Sequence, residues 1–369
     1  MVNARKICFL LVDHFPDDDI FWFHQAKSLK ENGDDVFVIS TRTDSSNLEN
    51  VFCFDDIGMK KSAVSKKISE ILNEITPQVI ICDNPLSVFF AFRYKRKYHQ
   101  KAKILIEVTE WYPSKLNLQN INAFKKVIKF CCLIFLSFLS GCIVDKFIFG
   151  EYYKSLFFRI LFPFKKFIYL PYFANIELIT QYPVRDISNT CELLYSGNLA
   201  EKNGFEQVLK VAEKCAETIP NTKFVLKIIS SENVNVRKFN NIQNLEFQLM
   251  KQLPFLDFCK EIGKSDVFLD LRKIDVFKYS LPIKIFYYMA TGRPVIYSEL
   301  KTIKKFFPKE ELNQFGQLVN PDDTEKIVEI IKNYINDFDY YRKSCNFSSE
   351  ITKNKYHWNK IKNTFIDFI

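Results

Sequence analysis

The feature that most constrains this chain is an alternation that occurs twice. Short apolar runs at Lys6–Val12, Asp35–Ser40, Val79–Cys82 and Lys103–Val108 are separated by stretches with helical spacing at Phe21–Glu31, Ser62–Ile75 and Leu86–Tyr98. A strand apolar on both faces must be covered on both faces, and parallel sheets flanked by helices provide that cover. Near Phe173 the pattern restarts. Leu193–Ser196, Phe224–Ile229, Val267–Leu271 and Val295–Ser298 read as strands, and Phe205, Val208, Leu209, Ala212 and Cys215 form an i, i+3, i+4, i+7 helical stripe. Two βα series in 369 residues predict an α/β protein of two Rossmann-like domains facing a cleft, with ligands outside the carboxyl ends of the strands.

Composition narrows the functional classes. The ten cysteines are scattered with no CxxC pair, and the four histidines do not cluster with them, which argues against a zinc site. The cysteines read as reduced and the chain as cytoplasmic, with no secretory signal at its start. Net charge is +9, and its placement matters more than its size. Ile121–Leu170 carries eight Lys/Arg against Asp145 and Glu151 inside a very apolar stretch, and Arg93–Lys103 carries six with no acid. Basic and Phe-rich without an RNA-binding motif points to an anionic membrane surface, not to nucleic acid. Phe130–Val144 is fifteen residues without a charge, short of the roughly 20 of a spanning helix, and reads as a buried or interfacial helix.

The most informative segment is Ser280–Ile296, SLPIKIFYYMATGRPVI. It reads as a turn, a helix, a glycine cap and a strand. Lys284 lies three and four residues before Tyr287 and Tyr288, so they share a helical face near the N-terminus, where free N–H groups suit a diphosphate. Gly197, between a strand and a helix, is placed either for a tight turn or for phosphate contact. At the end of the first strand, Asp13 and His14 stand where a ligand would bind. Glu110 reads either as a turn-capping carboxylate or as an acceptor-site base. Asp17-Asp18-Asp19 could pass for a metal-binding acid cluster, but acids just before a helix also favour its dipole. No metal and no separate cofactor is expected.

Ser280–Ile296 resembles the donor-site motif of glycosyltransferase family 4, the group-one glycosyltransferases with the GT-B fold. Leu194–Phe205 (LYSGNLAEKNGF), Glu107–Pro113 (EVTEWYP), Asp18–Gly33, Phe315–Asp322 and Tyr356-His357-Trp358 are similar to further family segments in the same order. The resemblance implies residues 1–173 as an acceptor-side domain, 174–350 as the nucleotide-sugar domain, and 351–369 as a closing helix returning to the first domain. It implies retaining, metal-independent transfer from a nucleotide-diphosphate sugar to a lipid-linked or saccharide acceptor, in surface polysaccharide or glycolipid synthesis at the inner face of the cell membrane. The donor residues would be Gly197, Asn198, Lys202, Asn203, Ser280, Lys284 and Tyr287, with Asp13, His14 and Glu110 as the candidate catalytic residues on the acceptor side. The chain departs from the family at five positions. Tyr279 and Tyr287 stand where the family has two Glu, and Asn198 and Asn203 stand where it has a basic pair, with Lys202 one position early. Thr109 replaces the usual His.

Overall fold

The computed structural model describes residues 4–42, 48–98, 100–110, 113, 118, 121–233 and 242–369. The chain divides into two compact units, Met1–Tyr172 with Ile361–Ile369, and Phe173–Lys360. Each is built on one parallel sheet.

The first unit contains β1 (Lys6–Leu11), β2 (Asp35–Ser40), β3 (Val51–Cys53), β4 (Val79–Cys82), β5 (Lys103–Val108), β6 (Lys146–Phe149) and β7 (Lys166–Tyr169). Their order across the sheet is β3-β2-β1-β4-β5-β6-β7, and every pairing is parallel. All four residues of β4 are buried, as expected of a central strand covered on both faces. Asn84 opens the next helix, Pro85–Lys97, with a reciprocal cap to Ser87 and proline at its first position.

The second unit contains β8 (Thr190–Ser196), β9 (Lys223–Ser230), β10 (Leu245–Lys251), β11 (Val267–Asp270), β12 (Val295–Ser298) and β13 (Gly316–Val319). Their order is β10-β9-β8-β11-β12-β13, again all parallel. The apolar stripe of helix Phe205–Thr218 packs into the core of this unit with residues of β8, β9 and β11.

Both sheets reverse their strand order at one point, between β1 and β4 in the first unit and between β8 and β11 in the second. At such a point the connections leave in opposite directions, which opens a crevice at the carboxyl ends of the two strands. In the first unit the crevice is bounded by Asp13-His14 and Asp83. In the second it is bounded by Ser196-Gly197 and Asp270.

Two elements differ from expectation. The apolar stretch read from Phe130 is the rear of a longer helix, Ala123–Ile143, started by Asn122, whose side chain caps the Lys125 N–H. Residues 351–354 do not open a closing helix. They finish helix Phe338–Asn354, whose buried Tyr341, Ser344, Cys345, Ser348 and Thr352 carry one packed face through to its end. The returning helix is Lys362–Phe368. Lys146 of β6 reaches the Phe368 carbonyl and lies over the Phe368 ring.

Candidate functional site

In the second unit, Lys284 begins the helix Lys284–Ala290 and points back at the end of β8, where its ammonium donates to the Ser196 carbonyl. Gly197 follows with φ of +143°, and a Cβ there would stand 2.7 Å from the Lys284 Nζ. The glycine therefore leaves the room that the ammonium itself takes up. Burial lowers the Lys284 pKa to about 8; Asp270 opposes this, and Arg272 adds to it. Arg272 is a fork onto Asp270, with two N–H···O bonds of 2.6 Å. That pairing occupies the Asp270 carboxylate, so Lys284 has no ion pair of its own among the described residues.

In the loop after β8 several backbone donors are already engaged. The Gly197 N–H bonds Ile229 O at 2.9 Å. Leu199 N–H donates to Glu232, and Ala200 N–H to Asn198 Oδ1. Asn198 and Asn203 hold each other: the Asn203 amide donates to Asn198 O at 3.1 Å, and the Tyr195 hydroxyl donates to the same carbonyl at 2.6 Å. Both side chains thereby brace the loop. Lys202 lies half-buried in the turn Glu201–Asn203, its carbonyl accepting from Lys273 N. Gly204 is needed for a different reason than Gly197. With φ of +77°, a Cβ there would overlap Leu271 O at 1.8 Å.

The two tyrosines have different surroundings. Tyr287 is buried, edge-on to Phe255 and near Phe258, because its position on the helix faces the packed side. Tyr288 is the tyrosine on the Lys284 side. Its ring stacks on Phe268 at 4.2 Å, and its hydroxyl is hydrogen-bonded to the Ser196 side chain. Burial and the nearby Asp270 push that hydroxyl well above the usual phenol range. Ser280 is half-buried ahead of the helix, its N–H bonded to Phe277 O. Tyr279 is exposed, with Lys278 and Lys301 over its ring.

In the first unit, the crevice holds a dense polar cluster. Asp83, buried at the end of β4, accepts from the N–H groups of Val12 and Asp13 at 2.8 and 2.9 Å. The same oxygen lies 3.1 Å from His14 Nδ1. Burial works against a charge on His14, but the Asp83 hydrogen bond and the charges of Asp18, Asp83 and Glu107 outweigh it and raise the pKa to about 9. Asp13 is exposed, its carboxylate held by the Asn84 amide at 2.7 Å.

Glu107, fully buried on β5, accepts from Gln25 at 2.6 Å. Burial raises its pKa to about 7, with Asp18 adding and Gln25 and His14 opposing. Burial and Asp19 raise Asp18 to about 7 against His14 and two backbone N–H groups. Those two, of Ile20 and Phe21, make Asp18 a helix cap. Among the described residues, no group of three or more His, Cys, Asp or Glu side chains could hold a metal ion.

Glu110 is exposed at the bend after β5, and Trp111 and Tyr112 of the same motif lie outside the described residues. The carboxylate inside the cluster is Glu107. It begins the motif noted in the sequence but falls on the inward phase of the strand. Asp83 had a readable signal, an acid directly after four apolar strand residues. Gln25 had none, since only the packing of its helix brings it to Glu107.

No protein-family model matches the sequence. No curated protein matches it either. Solved structures do match, over nearly the whole chain. Sucrose-phosphate synthase from Thermosynechococcus elongatus superposes with a TM-score of 0.72 at 15% identity, covering 99% of this chain and 98% of that one. HepE of Anabaena in complex with UDP-glucose gives 0.71 at 13% identity, with 98% of each chain covered. WaaG, a glycosyltransferase involved in lipopolysaccharide biosynthesis, gives 0.69 at 11% identity, covering 98% of this chain and 99% of that one. Likeness at this level of identity establishes architecture. Together with the two parallel Rossmann-like sheets, it shows that this chain has the GT-B fold.

Proposed function

We propose that the protein is a glycosyltransferase that moves a sugar from a nucleotide-diphosphate donor to a lipid-linked or saccharide acceptor at the inner face of a cell membrane. The observation that carries this reading is Lys284, a largely buried ammonium without an ion pair among the described residues, at the switch point of the second sheet. A cation in such a place favours an anionic ligand, because a phosphate supplies the charge that burial has withdrawn. The diphosphate would bind at this ammonium beside Gly197, and Tyr288 lies within the same group of side chains.

In the reaction, the bond between the anomeric carbon and the diphosphate oxygen breaks as the acceptor oxygen bonds to that carbon and its hydroxyl proton passes to the leaving diphosphate. Charge accumulates on the leaving diphosphate, and Lys284 stabilises it there more than in the ground state. Transfer with retention of configuration and without a metal follows the family resemblance. The polar cluster of the first unit suits the acceptor. At neutral pH His14 is protonated and can hold an anionic or hydroxyl group, while the exposed carboxylates of Asp13 and Glu110 can orient a hydroxyl.

The test is transfer of radiolabelled sugar from UDP-, GDP-, CDP- and ADP-sugars into the lipid and polysaccharide fractions of cell membranes. Label incorporated by the wild type and lost in Lys284→Ala supports the reading. Binding of a diphosphate without any transfer would instead favour a silent subunit that positions a partner enzyme, consistent with Tyr279 and Tyr287 in place of the family's two Glu.

A further inference from the structure

Helix Ala123–Ile143 is amphipathic the wrong way round. Its buried residues are the small ones, Ser137, Ser140 and Gly141. Gly141 lies so near Phe162 that a Cβ would reach within 2.2 Å of the ring. Its large apolar residues face out: Phe124 is 75% exposed, Val127 62% and Phe135 59%, with Ile128 and Phe138 also exposed. With Cys131, also exposed, they recur at i, i+3, i+4, i+7, i+11 and i+14, a single stripe along the helix. From Ala123 to Cys132 every residue is exposed. A soluble domain ordinarily turns such a stripe inward, and a contiguous apolar surface of this kind marks a contact site.

The surface continues beyond the helix. Phe162 stacks on Phe138 at 5.6 Å, and the turn it starts presents Phe164, 98% exposed, next to the exposed Ile160 and Leu161. Lys165 ties the two elements together by donating to the carbonyls of Gly141 and Cys142 at the helix end.

The charge around the stripe is of one sign. Lys125, Lys126 and Lys129 are exposed on the flanks and back of the helix, and Arg159, Lys165 and Lys166 border the second element. No acid occurs between Ile121 and Val144. In a twofold dimer formed through this face the same lysines would meet each other. An anionic bilayer satisfies both features at once, taking the apolar stripe into the headgroup–acyl boundary while the lysine stems reach up to the headgroups.

The helix is long and apolar enough to cross a membrane by length and composition, but the sheet forbids it. It connects β5 to β6, which are hydrogen-bonded neighbours, so both ends of the crossover belong on one side.

We infer that helix Ala123–Ile143, with the Ile160–Phe164 turn, is a monotopic anchor whose outward stripe lies in the surface of an anionic membrane. This deepens the membrane part of the proposed function and does not depend on catalysis. The experiment is flotation of the full chain with phosphatidylglycerol-containing vesicles and with pure phosphatidylcholine vesicles, at low and high salt. The wild type is expected to float with the anionic vesicles. Val127→Asp/Phe135→Asp should reduce partition at least ten-fold at every salt concentration, and Lys125→Gln/Lys126→Gln/Lys129→Gln should reduce it chiefly at low salt. Diphosphate binding by each variant reports that the fold and donor site are intact. An environment-sensitive thiol probe on Cys131, in a Cys53→Ser/Cys132→Ser/Cys142→Ser background, should shift to the blue and be quenched by a lipid-borne quencher. Absence of wild-type flotation at low salt would overturn the inference, as would undiminished binding of the Asp variant or a lipid-free dimer that this variant abolishes.

Discussion

The ammonium of Lys284 and the missing side chain of Gly197 define one another: a methyl group at 197 would stand 2.7 Å from Nζ. Gly197→Ala should therefore push Lys284 off its position and also place alanine at φ of +143°, a region costing on the order of 1–3 kcal/mol. The expected outcome is a loss of diphosphate affinity of ten-fold or more in a protein that still folds, measured by calorimetric titration. Gly204→Ala makes the contrast. Its Cβ would overlap backbone at Leu271, so it should lower Tm sharply or prevent folding.

Lys284 also has a pH signature. Its pKa falls from 10.5 to about 8 on folding, so between those values the unfolded chain holds more protons and stability rises with pH. Compared with Lys284→Met, wild type should carry a stability deficit that is full below pH 8 and disappears toward pH 10.5. Denaturant titrations of both proteins across this range check it. On the proposed reading the charged amine holds the diphosphate, so affinity should fall as pH rises through 8.

His14 has the opposite sign. Its pKa rises from 6.5 to about 9, so its contribution to stability is fully present below pH 6.5 and is lost as pH climbs through 9. The titration of its ring, followed by NMR, should have a midpoint near 9. In Asp83→Asn, which removes the hydrogen-bonded charge, that midpoint should move down by about a unit or more.

The two tyrosines give a clean comparison. Tyr288→Phe removes a hydroxyl next to Ser196 and Asp270 and should weaken diphosphate binding several-fold. Tyr287→Phe, in the packing against Phe255, should leave affinity within two-fold. Equal losses in both variants would count against a distinction between the two tyrosines.

Much of the fold was legible because a central parallel strand has little choice of residues. Runs such as Val79–Cys82 show their burial on both faces directly. The strands that escaped notice sit where that rule weakens. β10 lies at the edge of its sheet and has mostly exposed or half-buried residues, and β3 is three half-buried residues at another edge. β6 begins three positions after a long apolar helix ends, leaving only the Asp145-Lys146 pair to mark the boundary.

The candidate site was legible as place more than as residues. Lys284 and Gly197 could be found because a helix start and a strand end are visible in sequence. Glu107 and Gln25, 82 positions apart, meet only through tertiary packing, which no local pattern records. The helix Ala123–Ile143 was misjudged in extent because Lys125, Lys126 and Lys129 interrupt its hydrophobicity, although on a surface helix they simply occupy the flanks.

The account stands most directly on Lys284 as the anion-holding group of the second unit. A thermal-shift titration of wild type and Lys284→Ala with UDP, GDP, CDP and ADP measures this at pH 7. A diphosphate at 100 times its dissociation constant should stabilise the wild type by about 2.7 kcal/mol, and Lys284→Ala should lose that shift. If no diphosphate stabilises the wild type, or if Lys284→Ala responds as the wild type does, the proposed donor site at Lys284 is wrong.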